Sequence, residues 1–557
     1  MTVTFVVLLF GSGARSAVIP AEGFTHGVVA ADHPLASAAG LAILKQGGNA
    51  VDAACATAFA LGVVNPAGSG IGGGGFMMIL PAKGTAPVVL DFRETAPAGA
   101  SRDMYLKAGP DASRLGGLAI AVPGEVLGCA EAVKRHGKLK LARVLAPAIQ
   151  LAARGFVVGG HLARSSREAA RQITARSADL ARMFLPGGKP VVAGQRMQRP
   201  RLARSLRAIA AGGPAVFYGG WIARDLAQAA RDAGGLMTLQ DLQRYSIKLR
   251  AALVGRYRGH TVFTMPPPSS GGVTLLETLN ILEPHKLKKL GHNSSAHLHL
   301  VVEALKHAFA DRARHLGDPD FVKVPVQYLT SRVYAEALNR RIGERVRAIA
   351  SYGSTTVPQA PSATSGGTSH ISVVDREGMA VAMTTTINTT FGSMVVGKQS
   401  GIILNNEMDD FAARPGKPNA FGLVQGEQNA VAPGKRPLSS MSPTIVTRDG
   451  KLVLVLGASG GPTIITSTLQ ALSNVVDFGL EARDAVCRSR VHHQWMPDRV
   501  VVEGDLPRDV LDGLRRRGQR VKLRRHPFTA VQIVVLDAQG LRHPASDPRK
   551  LGAPAGY

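Results

Sequence analysis

Cysteine is nearly absent from this chain. The three residues in 557, Cys55, Cys129 and Cys487, are too far apart for a CxxC pair or a metal-ligand cluster. No disulfide framework is implied, and each is expected to pack as a small hydrophobe. Acidic residues are also scarce, 39 against 66 Lys plus Arg, which leaves a formal charge of +27. That imbalance raises the question of nucleic acid. However, the basic residues are scattered, only 515–525 is dense, and aromatic residues, 5% of the chain, do not interleave with them. A solvated basic surface that draws in small anions is the better reading, with no nucleic-acid partner. Long apolar runs are missing too. The N-terminal stretch Thr-Val-Thr-Phe-Val-Val-Leu-Leu-Phe is too short to span a bilayer, so no integral membrane segment is expected. Followed by Gly-Ser-Gly-Ala-Arg-Ser-Ala, it reads as the end of a secretory signal over residues 1–20, without the basic n-region of a full one. Periplasmic or secreted localisation is the expectation; an upstream start or another role for the segment are the alternatives. With 45% apolar and 19% charged residues, the chain can build a large core, as one α/β body or as several domains.

Punctuation marks the elements. Pro34 opens a helix over 34–46 that Gly47-Gly48 ends, and Asn49 caps a second helix to about Val64, stopped by Asn65-Pro66. The run Gly-Ser-Gly-Ile-Gly-Gly-Gly-Gly, 68–75, satisfies G-x-G-x-x-G in its first six residues. Its context is inverted, with a helix before and a strand after, so dinucleotide binding is rejected. Close approach of two backbones is the expected use of these glycines. Residues 100–350 read as mainly helical, with an irregular loop at 265–272, a helix from about Val273 and another over 301–316. A run of small polar residues and prolines, 351–367, stops at Thr368, where alternating strands begin. Farther on, the apolar strand 452–456 is expected to be buried on both faces. It leads into Gly457-Ala-Ser-Gly-Gly461, and Pro462 opens a helix to about Val475. A late strand lies at 530–537.

Two of these junctions carry chemistry. A Thr368 freed as a chain terminus would offer a hydroxyl nucleophile beside its own α-amine, whose reference pKa of about 7.7–8.0 suits a base near neutrality. A strand, a glycine loop and a helix N-terminus at 452–463 expose backbone N–H groups of the kind that stabilise an oxyanion. Alone, a Gly-Thr at a loop-to-strand junction is an ordinary turn, and Thr386 an ordinary strand residue.

Longer motifs change that balance. They are Gly-Gly-Asn-Ala-Val-Asp-Ala-Ala (47–54), Ile-Gly-Gly-Gly-Gly-Phe-Met (71–77), Asp-Phe-Arg-Glu-Thr-Ala-Pro (91–97) and Met-Pro-Pro-Pro-Ser-Ser-Gly-Gly (265–272). Leu-Gly-Asp-Pro-Asp-Phe-Val (316–322), Asn-Asn-Glu-Met-Asp-Asp-Phe (405–411) and Arg-Pro-Leu-Ser-Ser-Met-Ser-Pro-Thr (436–444) complete the set. With them the chain resembles the γ-glutamyltransferase (γ-glutamyl transpeptidase) family from about Gly27 to Tyr557. The resemblance implies an N-terminal-nucleophile hydrolase with a four-layer αββα sandwich. It also implies a precursor that cuts itself before Thr368 into a large subunit, 21–367, and a small one, 368–557. Thr368 would be the nucleophile, Thr386 its orienting partner, and Gly460 and Gly461 the oxyanion donors. Arg93, Ser439 and Ser440 would hold the α-carboxylate of a γ-glutamyl substrate, and Asn388, Glu407 and Asp410 its ammonium. The implied substrates are glutathione and related γ-glutamyl compounds, with water or an amino acid or dipeptide as acceptor. No cofactor and no metal is implied.

Two positions depart from the family's pattern. Residue 407 is Glu where several bacterial members have Gln. In the segment resembling the lid loop, 412–435, Phe421 stands where some relatives place a Tyr that latches onto the site Asn. A looser lid is expected from the missing phenol. A same-scaffold alternative is a cephalosporin (glutaryl) acylase, disfavoured by an ammonium site that a glutaryl group cannot use.

Overall fold

The computed structural model describes residues 23–352, 366–414, 416–524 and 529–557. The expected signal segment and most of 351–367 lie outside these residues. Two antiparallel sheets form the centre. The first has seven strands in the order Ala555–Gly556, Val28–Ala31, Gly366–Val374, Ala380–Thr389, Gly74–Leu80, Val88–Phe92 and Lys248–Ala251. The second has six, in the order Arg542–Ser546, Ala530–Leu536, Lys451–Ser459, Thr444–Arg448, His260–Thr264 and Leu253–Tyr257.

Strand alternation sorts the core into layers. On Gly74–Leu80, Met77 and Ile79 face a cluster shared with the helices Pro34–Lys45 and Ala50–Val64. Phe76, Met78 and Leu80 face the second sheet and join Val446, Leu454 and Leu456 there. That second cluster continues to the helices Gly271–Leu282, Ser295–His315 and Thr463–Val476, which cover the far face. Helix, sheet, sheet and helix follow in order, the four-layer αββα sandwich the motifs imply.

Local expectations hold where a side chain specifies the backbone. Asn49 caps Ala50–Val64 in a reciprocal box with Asp52. A Cβ at Gly73 would lie 1.8 Å from the Thr386 carbonyl and one at Gly75 2.1 Å from that of Thr384; the glycine run does admit a neighbouring backbone. Elsewhere the boundaries move. The strand carrying Thr368 begins at Gly366, because Gly366 and Gly367 pair with Thr389 and Asn388. The helix expected over 301–316 starts at Ser295, where Ser294 caps it by accepting from His297 N. Residues 248–264, read as part of a helical middle, hold three strands, two of them at sheet edges, where Leu249 and Val254 are exposed beside Lys248 and Arg256. Leu452 and Val453 are only partly buried; full burial begins at Leu454.

Candidate active site

Register brings the two threonines together. Thr386 is the antiparallel partner of Thr368, so their side chains share a face. Their hydroxyl oxygens lie 3.1 Å apart. Asn388 N donates to Thr386 Oγ1 at 2.8 Å, and Thr386 Oγ1 donates to the Gly367 carbonyl at 2.8 Å. With the Thr386 proton so placed, the Thr368 hydroxyl is left to donate to Thr386. One hydroxyl, that of Thr386, therefore touches both the Thr368 hydroxyl and the carbonyl of the peptide bond preceding it. A bulge between Thr386 and Asn388 makes this possible: the register shifts there, and Asn388 takes φ +75°.

From Asn388 the site passes into loops. Asn388 Nδ2 donates to the Asn406 carbonyl at 2.9 Å, next to the 3-10 turn Glu407–Asp410. The buried Arg93 guanidinium forks onto that turn, with Nη1 to Glu407 Oε1 and Nη2 to Asp410 Oδ2 at 2.5 Å. Its Nε donates to the Pro437 carbonyl at 3.2 Å, reaching the segment that carries Ser439 and Ser440. Glu94 lies 3.7 Å from Arg93 Nη1. Burial raises the Glu407 and Asp410 pKa values against the pull of Arg93. Burial likewise takes Glu94 to about 7, offset in part by Arg93. Burial opposes the charge on Arg93, but Glu407 and Asp410 hold its pKa above the usual value. The sequence reading gave Arg93 to a carboxylate and the two acids to an ammonium. In the structure these groups face one another as one buried ion cluster. Glu407 Oε2 has no protein partner among the described residues.

The glycine loop closes the other side. The strand Lys451–Ser459 lies against the strand of Thr368, where a Cβ at Gly457 would meet the His370 ring at 2.3 Å. Beyond it, Gly460 and Gly461 adopt φ +139° and +63°, and Thr463 Oγ1 holds the Gly460 carbonyl at 2.6 Å at the start of Thr463–Val476. Phe421 covers this turn, its ring 2.7 Å from where a Gly461 Cβ would stand. It is buried, and its carbonyl accepts from Gln494 Nε2 at 3.1 Å. Asn419 Oδ1 accepts from the N–H groups of Phe421 and Leu423. Without a phenol to satisfy, the ring packs as an apolar wedge.

Of the ten residues singled out in the sequence, Thr368, Thr386 and Asn388 are joined by hydrogen bonds and Arg93, Glu407 and Asp410 by ion pairs, while Gly460, Gly461, Ser439 and Ser440 lie on other loops. Two further residues escaped that reading. Arg312, buried in Ser295–His315, donates from Nε to Ser270 Oγ at 2.8 Å, and Ser270 Oγ donates to the Ser439 carbonyl at 2.6 Å. Burial lowers its pKa to about 10, with Asp410 opposing. No sequence signal marks it: the helix mixes Val, Leu, Ala and Phe with His297, His299, Glu303, Lys306 and Asp311, all of which the structure buries. Lys550 reaches Thr368 itself, donating to its carbonyl at 2.6 Å.

A profile described as Gamma-glutamyltranspeptidase matches residues 36–557. The chain belongs to the gamma-glutamyltranspeptidase family. It is 44% identical over 536 residues to the glutathione hydrolase proenzyme of Escherichia coli (strain K12), covering 95% of this chain and 92% of that one. It is 41% identical over 520 residues to the acylase ACY 1 proenzyme of Pseudomonas sp. (strain V22), covering 90% and 88%. A crystal structure of cephalosporin acylase from Bacillus halodurans superposes with TM-score 0.86 at 29% identity, over 100% of this chain and 99% of that one. As a gamma-glutamyltranspeptidase it is an enzyme, and the N-terminal-nucleophile sandwich expected from its motifs is the fold found.

Proposed function

We propose that the chain matures by cutting itself before Thr368 and then moves γ-glutamyl groups from glutathione and related amides to water or to an amino acid or dipeptide. The observation that carries this reading is the Thr386 hydroxyl, bonded at once to the Gly367 carbonyl and to the Thr368 hydroxyl. In the precursor, Thr368 Oγ1 attacks the Gly367 carbonyl carbon. The C–N bond breaks, the nitrogen takes up the proton, and water hydrolyses the resulting ester to leave a Gly367 carboxylate and a free Thr368 amine. The same oxygen then attacks the γ-carbonyl of the substrate with that amine as base. Gly460 and Gly461 receive the oxyanion. The leaving amine departs protonated, and water or an acceptor amine releases the γ-glutamyl ester. Large and small segments, 21–367 and 368–557, would stay together as a processed pair. The Arg93, Glu407 and Asp410 cluster, with Asn388, Ser439 and Ser440, recognises the donor's ammonium and α-carboxylate. Such a polar pocket discriminates strongly against analogues that lack either group.

Likeness to two acylases keeps a glutaryl-cephalosporin substrate in view, but the buried Glu407 and Asp410 have no use for a side chain without an ammonium. Turnover of γ-glutamyl-p-nitroanilide far above that of a glutaryl-cephalosporin is expected, and the reverse order would favour the acylase. Export to the periplasm or beyond is part of the proposal and rests on the sequence of residues 1–20. Intact-mass analysis beside a Thr368→Ala variant tests the core claim. Wild type should give two fragments, one beginning at Thr368, and the variant a single inactive chain. An active uncut wild type would overturn the reading.

A further inference from the structure

A part-buried cation touches the nucleophile from the side that this chemistry leaves unused. Lys550 Nζ donates to the Thr368 carbonyl at 2.6 Å and to Ser459 Oγ at 2.7 Å, and pairs with Asp32 Oδ2 at 3.2 Å. Asp32 also accepts from Ser459 Oγ at 3.1 Å and from Gln532 Nε2 at 2.6 Å. The lysine sits on the short turn Pro548–Lys550, which Asp547 caps by accepting from Arg549 N. Asp547 is itself held by Arg490 at 2.7 Å and by Arg549 at 3.1 Å. The ammonium is thus fixed from a point 182 residues along the chain from Thr368. A neutral donor could serve a backbone carbonyl equally well; a charge adds a field.

Covalent geometry places a carbonyl oxygen within about 4 Å of its own residue's nitrogen. Lys550 Nζ is therefore within about 7 Å of the atom that cleavage turns into the α-amine. We propose that Lys550 is a positioning residue that keeps the Thr368 amine unprotonated and ready to accept a proton, with Asp32 setting the strength of the effect. The proposal rests on the N-terminal-threonine reading above. A like charge disfavours the ammonium form of the amine, and a carboxylate beside that charge weakens its influence.

The other groups facing this point leave room for such control. His33, His161 and Arg196 share with Lys550 and Asp32 a cavity of about 450 Å³. Burial lowers His33 to about 4 and His161 to about 3, and His370, two residues along the strand, to about 3. All three imidazoles are therefore neutral near pH 7. Burial raises the pKa of Asp32, with Lys550 opposing. Arg93, Glu407 and Asp410 lie on the far side, beyond Thr386 and Asn388.

The test is the acidic limb of the pH profile of kcat/KM for γ-glutamyl-p-nitroanilide hydrolysis, measured on processed Lys550→Gln, Lys550→Arg and Asp32→Asn enzymes beside wild type. That limb reports the base of the free enzyme. Lys550→Gln removes the like charge, so its limb should move to higher pH, on the order of one unit. Asp32→Asn leaves the cation unopposed, and its limb should move to lower pH. Lys550→Arg should stay near wild type. Opposite displacements are something that loosened packing would not produce. If Lys550→Gln does not mature, the downward move in Asp32→Asn decides. Limbs that stay put, or that move the same way in both variants, would overturn the proposal. An inactive or uncut wild type would instead sink the proposed function.

Discussion

The two ends of the site are built from opposite materials. Around Thr368 the groups are hydroxyls and backbone on adjacent strands, with Lys550 the single formal cation in direct contact among the described residues. Around Arg93, three carboxyl groups crowd one guanidinium, and the acids at 407 and 410 arrive on a loop and not on the sheet. Sheet register places atoms finely but carries no charge; loops supply charge but need ion pairs to hold their shape. The nucleophile end should therefore be sensitive to small displacements, and the recognition end to the loss of a formal charge. Variants at each end ought to separate kcat from KM.

The largest separation is expected at Arg93. Arg93→Lys keeps one charge but cannot fork, so one of the buried carboxyl groups at 407 and 410 loses its partner. Breaking a buried pair of this kind costs about 3–5 kcal/mol. Urea denaturation should show a loss of that order, and kcat/KM should fall by roughly 10²-fold or more, mainly through KM. A fall in kcat alone would erase the contrast between the two ends. Gly461→Ala should produce the mirror result. At φ +63° a Cβ is strained, and it would sit 2.7 Å from the Phe421 ring. The turn must shift, and a misplaced oxyanion donor lowers kcat by about 10- to 10²-fold, with KM little changed. If KM rises instead, the turn serves binding and not the oxyanion.

Sequence and structure agree best where one residue settles its own surroundings. Asn49 announces a helix start because its side chain answers N–H groups two and three residues away. The glycines at 72–75 announce close approach because any Cβ there would strike a neighbouring backbone. The motif residues were legible through resemblance; the structure joins Thr368, Thr386 and Asn388 by hydrogen bonds and Arg93, Glu407 and Asp410 by ion pairs. What could not be read depends on partners distant in sequence. His297 and His299 look like a polar interruption before residue 301, yet both are buried in the helix, His299 against Gly343 and Gln519. The hairpin Leu253–Tyr257 and His260–Thr264 runs to a sheet edge, so its alternation mixes exposed and buried positions. Lys550 gives no local signal, since its importance lies in an atom 182 residues away.

The smallest expected effect concerns the acid nearest the neutral end. Glu125 is fully buried, and its Oε2 accepts from Thr385 Oγ1 beside Thr386. Burial raises its pKa from 4.5 to about 8, the Thr385 bond opposing and Glu94 adding to the rise. The carboxyl is thus mostly neutral at pH 7, in keeping with its surroundings. A folded pKa above the unfolded one gives stability that is fully present below about 4.5 and is lost as pH rises through about 8. Between pH 7 and 9 the thermal midpoint of wild type should therefore fall further than that of Glu125→Gln, whose amide cannot ionise. The difference amounts to no more than a few kcal/mol. Parallel curves would mean that Glu125 is already charged at neutral pH. The nucleophile end would then carry an anion beneath it, and the contrast with the recognition end would be one of degree.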